Sequence, residues 1–242
     1  MKSHKIYIGT SGWSYKHWRG TFYPEKLKVK DEFKYYSERF DTVELNSPFY
    51  RLPKPETMQM WKDNVSDSFV YVLKASRFIT HMKKLNDPVE SIRLFFDRAE
   101  ILKDKVGAIL FQLPPNLLCH YELLENFLSA LPEDFRYVFE FRNADWYRDE
   151  IYSLLRKYNC AFCVYELNGH HSPIEVTADF AYVRLHGPGG KYQGSYSDQT
   201  LSEWADLCKE WLATKDVFFY FDNDQEGFAA FNAMRLKELV AS

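Results

Sequence analysis

Glu140 and Arg142 stand two residues apart at the end of the run Tyr137–Arg142, where polar and apolar side chains alternate. In a strand, alternate residues share a face, so Val138, Glu140 and Arg142 lie opposite Phe139 and Phe141. The same alternation sets Thr42, Glu44 and Asn46 against Val43 and Leu45, and Tyr182, Arg184 and His186 against Val183 and Leu185. Lys74 and Ser76, Gln112, and Asp222 end three further runs. Carboxylates, cations, an imidazole and amides in such positions suit general acid–base chemistry beside an anchored anion. Glu140 is the first choice for acid or base and Glu44 the second, with His186 as a further catalytic candidate. Lys74, Arg142 and Arg184 are expected to hold an anion, while Asn46, Gln112 and Asp222 orient the ligand.

Each of these residues also has a structural reading. Glu140 and Arg142 would serve equally in a ring of ion pairs that closes a core, His186 as a satisfied core histidine, and Arg184 as a deeper ion-pair partner. Function is favoured by the number of different polar types at the ends of runs. An unpaired buried ion costs several kcal/mol, roughly, so the set is expected to pair at a wet opening.

The elements that must position these side chains are eight hydrophobic, β-branched or aromatic runs: Ile6–Gly9, Thr42–Asn46, Phe69–Ser76, Val106–Gln112, Tyr137–Arg142, Cys160–Val164, Phe180–Gly187 and Val217–Asp222. Helical periods or helix-start signals separate most of them. Asp87-Pro88-Val89-Glu90 reads as a capped helix start with an apolar stripe behind it, and Thr200 with Glu203 reads as a second capping box. Residues Glu166–Asp179 break the rhythm, so the sixth unit is expected to be loop. Alternating strands and helices imply parallel strands, and eight such units predict an α/β fold, a single (β/α)8 TIM-type barrel over residues 1–242 with an irregular sixth unit. Its active site belongs at the carboxyl ends of the strands.

Composition narrows the function classes. With a net charge of −3 no global basic field draws the chain to nucleic acid or to an anionic membrane. Met1-Lys2-Ser3-His4-Lys5 leads into the first run without an apolar targeting region, and no apolar run approaches the ~18 residues of a membrane span, so a cytoplasmic protein is expected. The 4 cysteines do not make a disulfide scaffold, and Cys160 and Cys163, three apart on a strand, point to opposite faces and read as buried thiols. Aromatics reach 18%, mostly for packing, with a remainder available to line a cleft. Two loops offer free backbone N–H groups to an anion: Gly9-Thr10-Ser11-Gly12-Trp13, and Gly187-Pro188-Gly189-Gly190-Lys191-Tyr192, where Lys191 adds charge.

The segments Gly9-Thr10-Ser11-Gly12-Trp13-Ser14-Tyr15 with Trp18-Arg19-Gly20 and Phe22-Tyr23-Pro24, Val43-Glu44-Leu45-Asn46-Ser47-Pro48-Phe49-Tyr50, Phe111-Gln112-Leu113-Pro114-Pro115, Arg184-Leu185-His186-Gly187 and Tyr220-Phe221-Asp222-Asn223-Asp224 resemble, in order and over nearly the whole chain, the YecE-like family called domain of unknown function 72. The resemblance implies a TIM barrel and a site, without a reaction. It places motif positions on Trp13, Tyr15, Glu44, Asn46, Tyr50, Lys74, His81, Gln112, Glu140, Arg142, Trp146, Arg184, His186 and Asn223. The chain departs from the family pattern at Asn143-Ala144, where His-Pro is expected, at Tyr165-Glu166, where an Asp is expected, and at Asp222, which replaces Asn.

Three functions compete. The preferred one is an enzyme acting by acid–base chemistry on a small anionic, polyhydroxylated substrate such as a sugar phosphate or nucleotide derivative, with Trp13, Tyr15, Tyr50 and Trp146 covering a ring. It requires no cofactor. The second is a divalent-metal hydrolase using Glu44, Glu140, His186 and Asp222, although no H-x-H or H-E-x-x-H motif is present and the adjacent pair His170-His171 reads as solvated loop. The third is a non-catalytic module for nucleotides or single-stranded nucleic acid, which the acidic balance disfavours.

Overall fold

Alternation of β-branched and aromatic residues with polar ones folds as strands in the computed structural model, which describes residues 4–242. The expectation for Met1-Lys2-Ser3 lies outside the described residues. The strands are β1 (Ile6–Thr10), β2 (Thr42–Leu45), β3 (Val70–Lys74), β4 (Val106–Leu113), β5 (Tyr137–Phe141), β6 (Ala161–Leu167), β7 (His170–His171), β8 (Phe180–Leu185) and β9 (Asp216–Phe221). Between or after them lie the helices α1 (Val29–Ser37), α2 (Ser47–Tyr50), α3 (Pro55–Asp63), α4 (Pro88–Ala99), α5 (Tyr121–Ser129), α6 (Asp149–Lys157), α7 (Asp198–Leu212) and α8 (Phe228–Ala241). The sheet order is β1-β9-β8-β6-β5-β4-β3-β2, with β7 attached to β6. The pairs β1–β9, β3–β4, β4–β5, β5–β6 and β8–β9 are parallel. A parallel bridge between Ser11 and Glu44 links the segment after β1 to β2, the strands at the two ends of that order. This is the α/β connectivity of a (β/α)8, TIM-type barrel.

Three local expectations change. The sixth run extends past Val164 to Leu167, because Asn168 (φ 51°) and Gly169 (φ 77°) accept the left-handed conformations of a tight hairpin turn. That turn pairs Glu166 with His171 and Leu167 with His170, antiparallel, and no helix follows before β8. Asp87 precedes α4 as expected, but its backbone is left-handed (φ 49°) and its carboxylate pairs with Lys83 at 3.0 Å instead of capping. The cap of α7 is Ser197, one turn ahead of Thr200, and its hydroxyl accepts from the Thr200 N–H at 3.1 Å.

Two compact units divide the contacts: one made of residues up to Glu44 with Val164–Ile174 and Asp179–Ser242, the other of Leu45–Cys163 with Glu175–Ala178. In the first, Tyr182, Phe218, Phe219 and Tyr220 are sealed from solvent beside Ile8. In the second, Phe111 stacks on Phe139 at 5.3 Å and Phe139 on Phe141 at 6.2 Å. These aromatics fall on the parity opposite to Gln112 and Glu140, as alternation requires. Cys160, Cys163 and Cys208 are buried, and none of the 4 cysteines forms a disulfide. Among the described residues no helix is long and apolar enough to cross a membrane.

Gly9 shows why the first loop begins with a glycine: a Cβ there would stand 2.6 Å from the Thr42 carbonyl oxygen. Close passage of β1 past β2, rather than anion binding, sets this requirement. Gly9→Ala is expected to lower stability by about 1–3 kcal/mol through overpacking, read as a shift in the urea midpoint at unchanged m-value.

Candidate functional site

The polar side chains at the ends of β2, β8 and β9 meet in the first unit. Glu44 is penultimate in β2, Arg184 penultimate in β8, His186 one residue beyond β8 and Asp222 one beyond β9. Glu44, Arg184 and His186 have no solvent exposure, whereas the Asp222 side chain retains 12%. Arg184 Nη2 donates to Glu44 Oε1 at 2.6 Å and lies 3.4 Å from Asp222 Oδ2. The other Glu44 oxygen accepts from the Tyr182 hydroxyl at 2.6 Å, and the Ser11 hydroxyl adds a bond to Oε1 at 2.7 Å. This carboxylate is therefore satisfied on both oxygens.

His186 bridges the remaining pair. Its Nδ1 is 2.8 Å from Asp222 Oδ2, and its Nε2 is 3.4 Å from Arg184 Nη1. A guanidinium only donates, which assigns Nε2 as acceptor and Nδ1–H as donor to Asp222. Tyr15 closes one side: its hydroxyl donates to the Ser11 carbonyl, and burial, helped by the charges of Asp222, Asp224 and Glu44, pushes its phenol well above the ordinary value. Tyr15 is consequently a protonated donor at any physiological pH. Trp13 packs against Phe33 at 4.6 Å, and its carbonyl accepts from Tyr23.

The second unit brings other candidates together. Glu140 has no exposure and is ion-paired with Arg142, whose side chain keeps 10%; Cys163 Sγ lies 3.9 Å from the same carboxylate. Gln112 is in register with Glu140, and its amide donates to the Leu113 carbonyl at 2.9 Å. Lys74 Nζ stands 4.4 Å above the Phe49 ring, and His81 meets that ring at 5.1 Å. Thr80 fixes His81 through Nδ1 at 2.8 Å. Asn46, half-buried, precedes α2, and Tyr50 ends that helix with 74% of its surface exposed.

Two of the expected ligand residues are sealed from solvent. Trp146 has no exposed surface, because its ring stacks on Phe141 at 4.9 Å and its indole N–H donates to Leu117 O at 2.8 Å. Asn223 is equally sealed, and its amide holds Gly194 O and Asn232 Oδ1, both at 2.8 Å. The Trp146 ring has no exposed face, whereas Asn223 Oδ1 is buried without a hydrogen-bond partner among the described residues. Sequence alone does not pair Ser11 and Tyr182 with Glu44; its only signals are that Tyr182 shares the parity of Arg184 and that Ser11 lies in the first glycine loop.

The family model described as "Protein of unknown function DUF72" matches residues 7–242. The chain belongs to this DUF72 family. It is 27% identical to the UPF0759 protein YunF of Bacillus subtilis over 269 residues, 97% of this chain and 94% of YunF. To the UPF0759 protein YecE of Escherichia coli K12 it is 29% identical over 143 residues, 59% of this chain and 50% of YecE. A crystal structure of a DUF72 family protein from Thermotoga maritima superposes with a TM-score of 0.89 at 28% identity, covering 99% of this chain and 100% of that one. A chitinase from Ipomoea carnea shares the fold alone, with a TM-score of 0.55 at 11% identity over 98% of this chain and 100% of its own.

Two predictions follow from the buried charges of this DUF72 protein. Glu44→Ala strands the Arg184 guanidinium without its main counter-charge and is expected to cost about 3–5 kcal/mol, whereas Glu44→Leu with Arg184→Met should cost less than that single change. Chemical denaturation of the set measures this. Burial, then Lys74 and Arg77, lower the His81 pKa below 6.5. A histidine lowered in the folded state contributes stability above the unfolded value and loses it as pH falls through the folded one. Between pH 7.5 and 5 the wild type should therefore lose more stability than His81→Gln, as urea midpoints would show.

Proposed function

We propose that the chain is an enzyme that performs acid–base chemistry on a small anionic, polyhydroxylated substrate. The observation that carries this reading is the unequal exposure of its carboxylates. Glu44 and Glu140 have none, and each is committed to a guanidinium, while Asp222 reaches solvent with its Oδ2 hydrogen-bonded to His186. A group that exchanges a proton with a substrate must be within hydrogen-bond reach of it. The solvent exposure of Asp222 supports assigning the acid–base role to it in place of Glu140 and Glu44, which then serve as counter-ions for Arg142 and Arg184. His186 positions Asp222 through Nδ1–H.

Anion recognition in the unit that holds Asp222 is supported by the exposed Lys191. The divalent-metal alternative fits the geometry less well. Among Glu44, His186 and Asp222 the space between the carboxylates is held by Arg184, whose Nη2 touches both. Among the described residues no three His, Cys, Asp or Glu side chains form a group able to hold a metal.

Thermal-shift titration with inorganic phosphate, sulfate and a panel of sugar phosphates is expected to reveal stabilisation that Lys191→Ala reduces. On a substrate found this way, Asp222→Asn should retain binding and lose roughly 10²–10⁴-fold in kcat. Stabilisation by no anion, or full turnover by Asp222→Asn, would remove the reading.

A further inference from the structure

Tyr192 sits where its residue type is disfavoured. Its φ is 64°, the left-handed region that costs a residue with a Cβ, and Glu226 shares the condition at φ 54°. Both belong to loops of the first unit, one following β8 and the other β9. The loops are tied together: the Gly194 N–H donates to Gln225 Oε1 at 3.1 Å and the Asn223 amide to Gly194 O at 2.8 Å. Tyr192 is also bound to the proposed acid–base pair, since its N–H donates to the His186 carbonyl at 2.7 Å and its ring meets the imidazole at 5.8 Å and 60°. The strained backbone thus holds an aromatic ring beside His186 while leaving 37% of that residue exposed.

Tyr192 lines an open cleft of about 400 Å³ together with His17, Lys191, Gln193, Asp224, Gln225 and Glu226. That volume is on the scale of small-ligand sites, roughly 300–1,000 Å³. Its chemistry is selective. An aromatic platform flanked by two primary amides and two carboxyl groups suits a ring that bears hydroxyl groups, through CH contacts on the face and paired hydrogen bonds at the rim. Lys191 Nζ lies over the Tyr192 ring, 5.2 Å from its centroid, and brings a mobile positive charge to the platform. Of its two acids, Asp224 is partnered by His17 at 3.4 Å, with burial and Asp222 raising its pKa, and Glu226 is exposed. The cleft is therefore not a simple acidic patch.

We propose that this cleft is a subsite for a sugar ring bearing a phosphate or carboxylate, with Tyr192 as the platform, Lys191 pairing with the anion, and Gln193, Gln225 and Asp224 bonding to hydroxyls. The assignment rests on the acid–base reading of Asp222, whose substrate it specifies. The strain at Tyr192 is then the consequence of keeping a ring where a glycine would relax the loop.

Calorimetric titration of the full chain with hexose phosphates, pentose phosphates, glucuronate, glucose and inorganic phosphate tests the subsite without any need for turnover. At least one charged sugar is expected to bind more tightly than both glucose and phosphate alone. Tyr192→Gly should weaken that sugar by roughly tenfold while leaving Tm unchanged or raised, because glycine relieves the positive φ. Lys191→Ala should weaken the charged sugars and leave glucose unaffected. Binding of none of these probes, or a Tyr192→Gly variant with lowered Tm and unaltered affinity, overturns the proposal. If a charged sugar binds in the cleft and Asp222→Asn still converts it at the wild-type rate, the subsite stands and the acid–base reading falls. If Asp222 proves essential for a substrate that ignores Tyr192 and Lys191, the subsite falls and that reading stands.

Discussion

Arg184 holds a full positive charge with no exposure to water, and a guanidinium in that position is tolerable only when counter-charge and hydrogen bonds replace its hydration. Glu44 supplies the first at 2.6 Å, with Asp222 and His186 completing the surroundings at 3.4 Å each. Every partner lies at or just past the end of a different strand, so the charge has to be satisfied across chain segments far apart in sequence. The ends of β2, β8 and β9 are thereby fixed relative to one another more tightly than apolar packing would fix them, since a misplaced apolar group costs contacts while a misplaced charge costs solvation.

The consequence reaches outward through His186. Its ring is held between Arg184 and Asp222, and its backbone carbonyl receives the Tyr192 N–H. A rigid imidazole thus anchors a loop that is itself strained, and that loop is bonded to the segment after β9 through Gly194. Rigid interior and strained rim are coupled, and strain of this kind persists only where the surrounding bonds determine the backbone. Gly187 shows how closely the loop is folded: a Cβ on it would stand 2.3 Å from the Gln193 carbonyl oxygen.

Much of this architecture was legible in alternation. Period-two patterning located the eight parallel strands and put Glu44, Glu140 and Arg184 on the polar parity, because each strand's side chains alternate by geometry alone. The hairpin after β6 is equally legible in Asn168-Gly169, a dipeptide suited to a two-residue turn. Parity could not rank the polar set by exposure. Glu44, Glu140 and Asp222 look alike along the chain, and only packing decides that two are sealed against guanidiniums while the third touches water.

Aromatics and amides divide the same way. Trp146 and Asn223 carry the residue types of a binding site, yet the tertiary fold directs the indole N–H to Leu117 and the amide to Gly194. Tyr192, one residue among several in a glycine-rich loop, acquires its distinction from a positive φ and from contact with His186, neither of which its neighbours in sequence encode. Local patterns settle periodicity, element type and which face of a strand is polar, because these depend on neighbours within a few residues. Which charges pair, which reach solvent and which loop is strained depend on groups 30 to 140 residues apart, as Ser11 with Glu44 and Glu44 with Arg184 illustrate, and those distances close only when the chain folds.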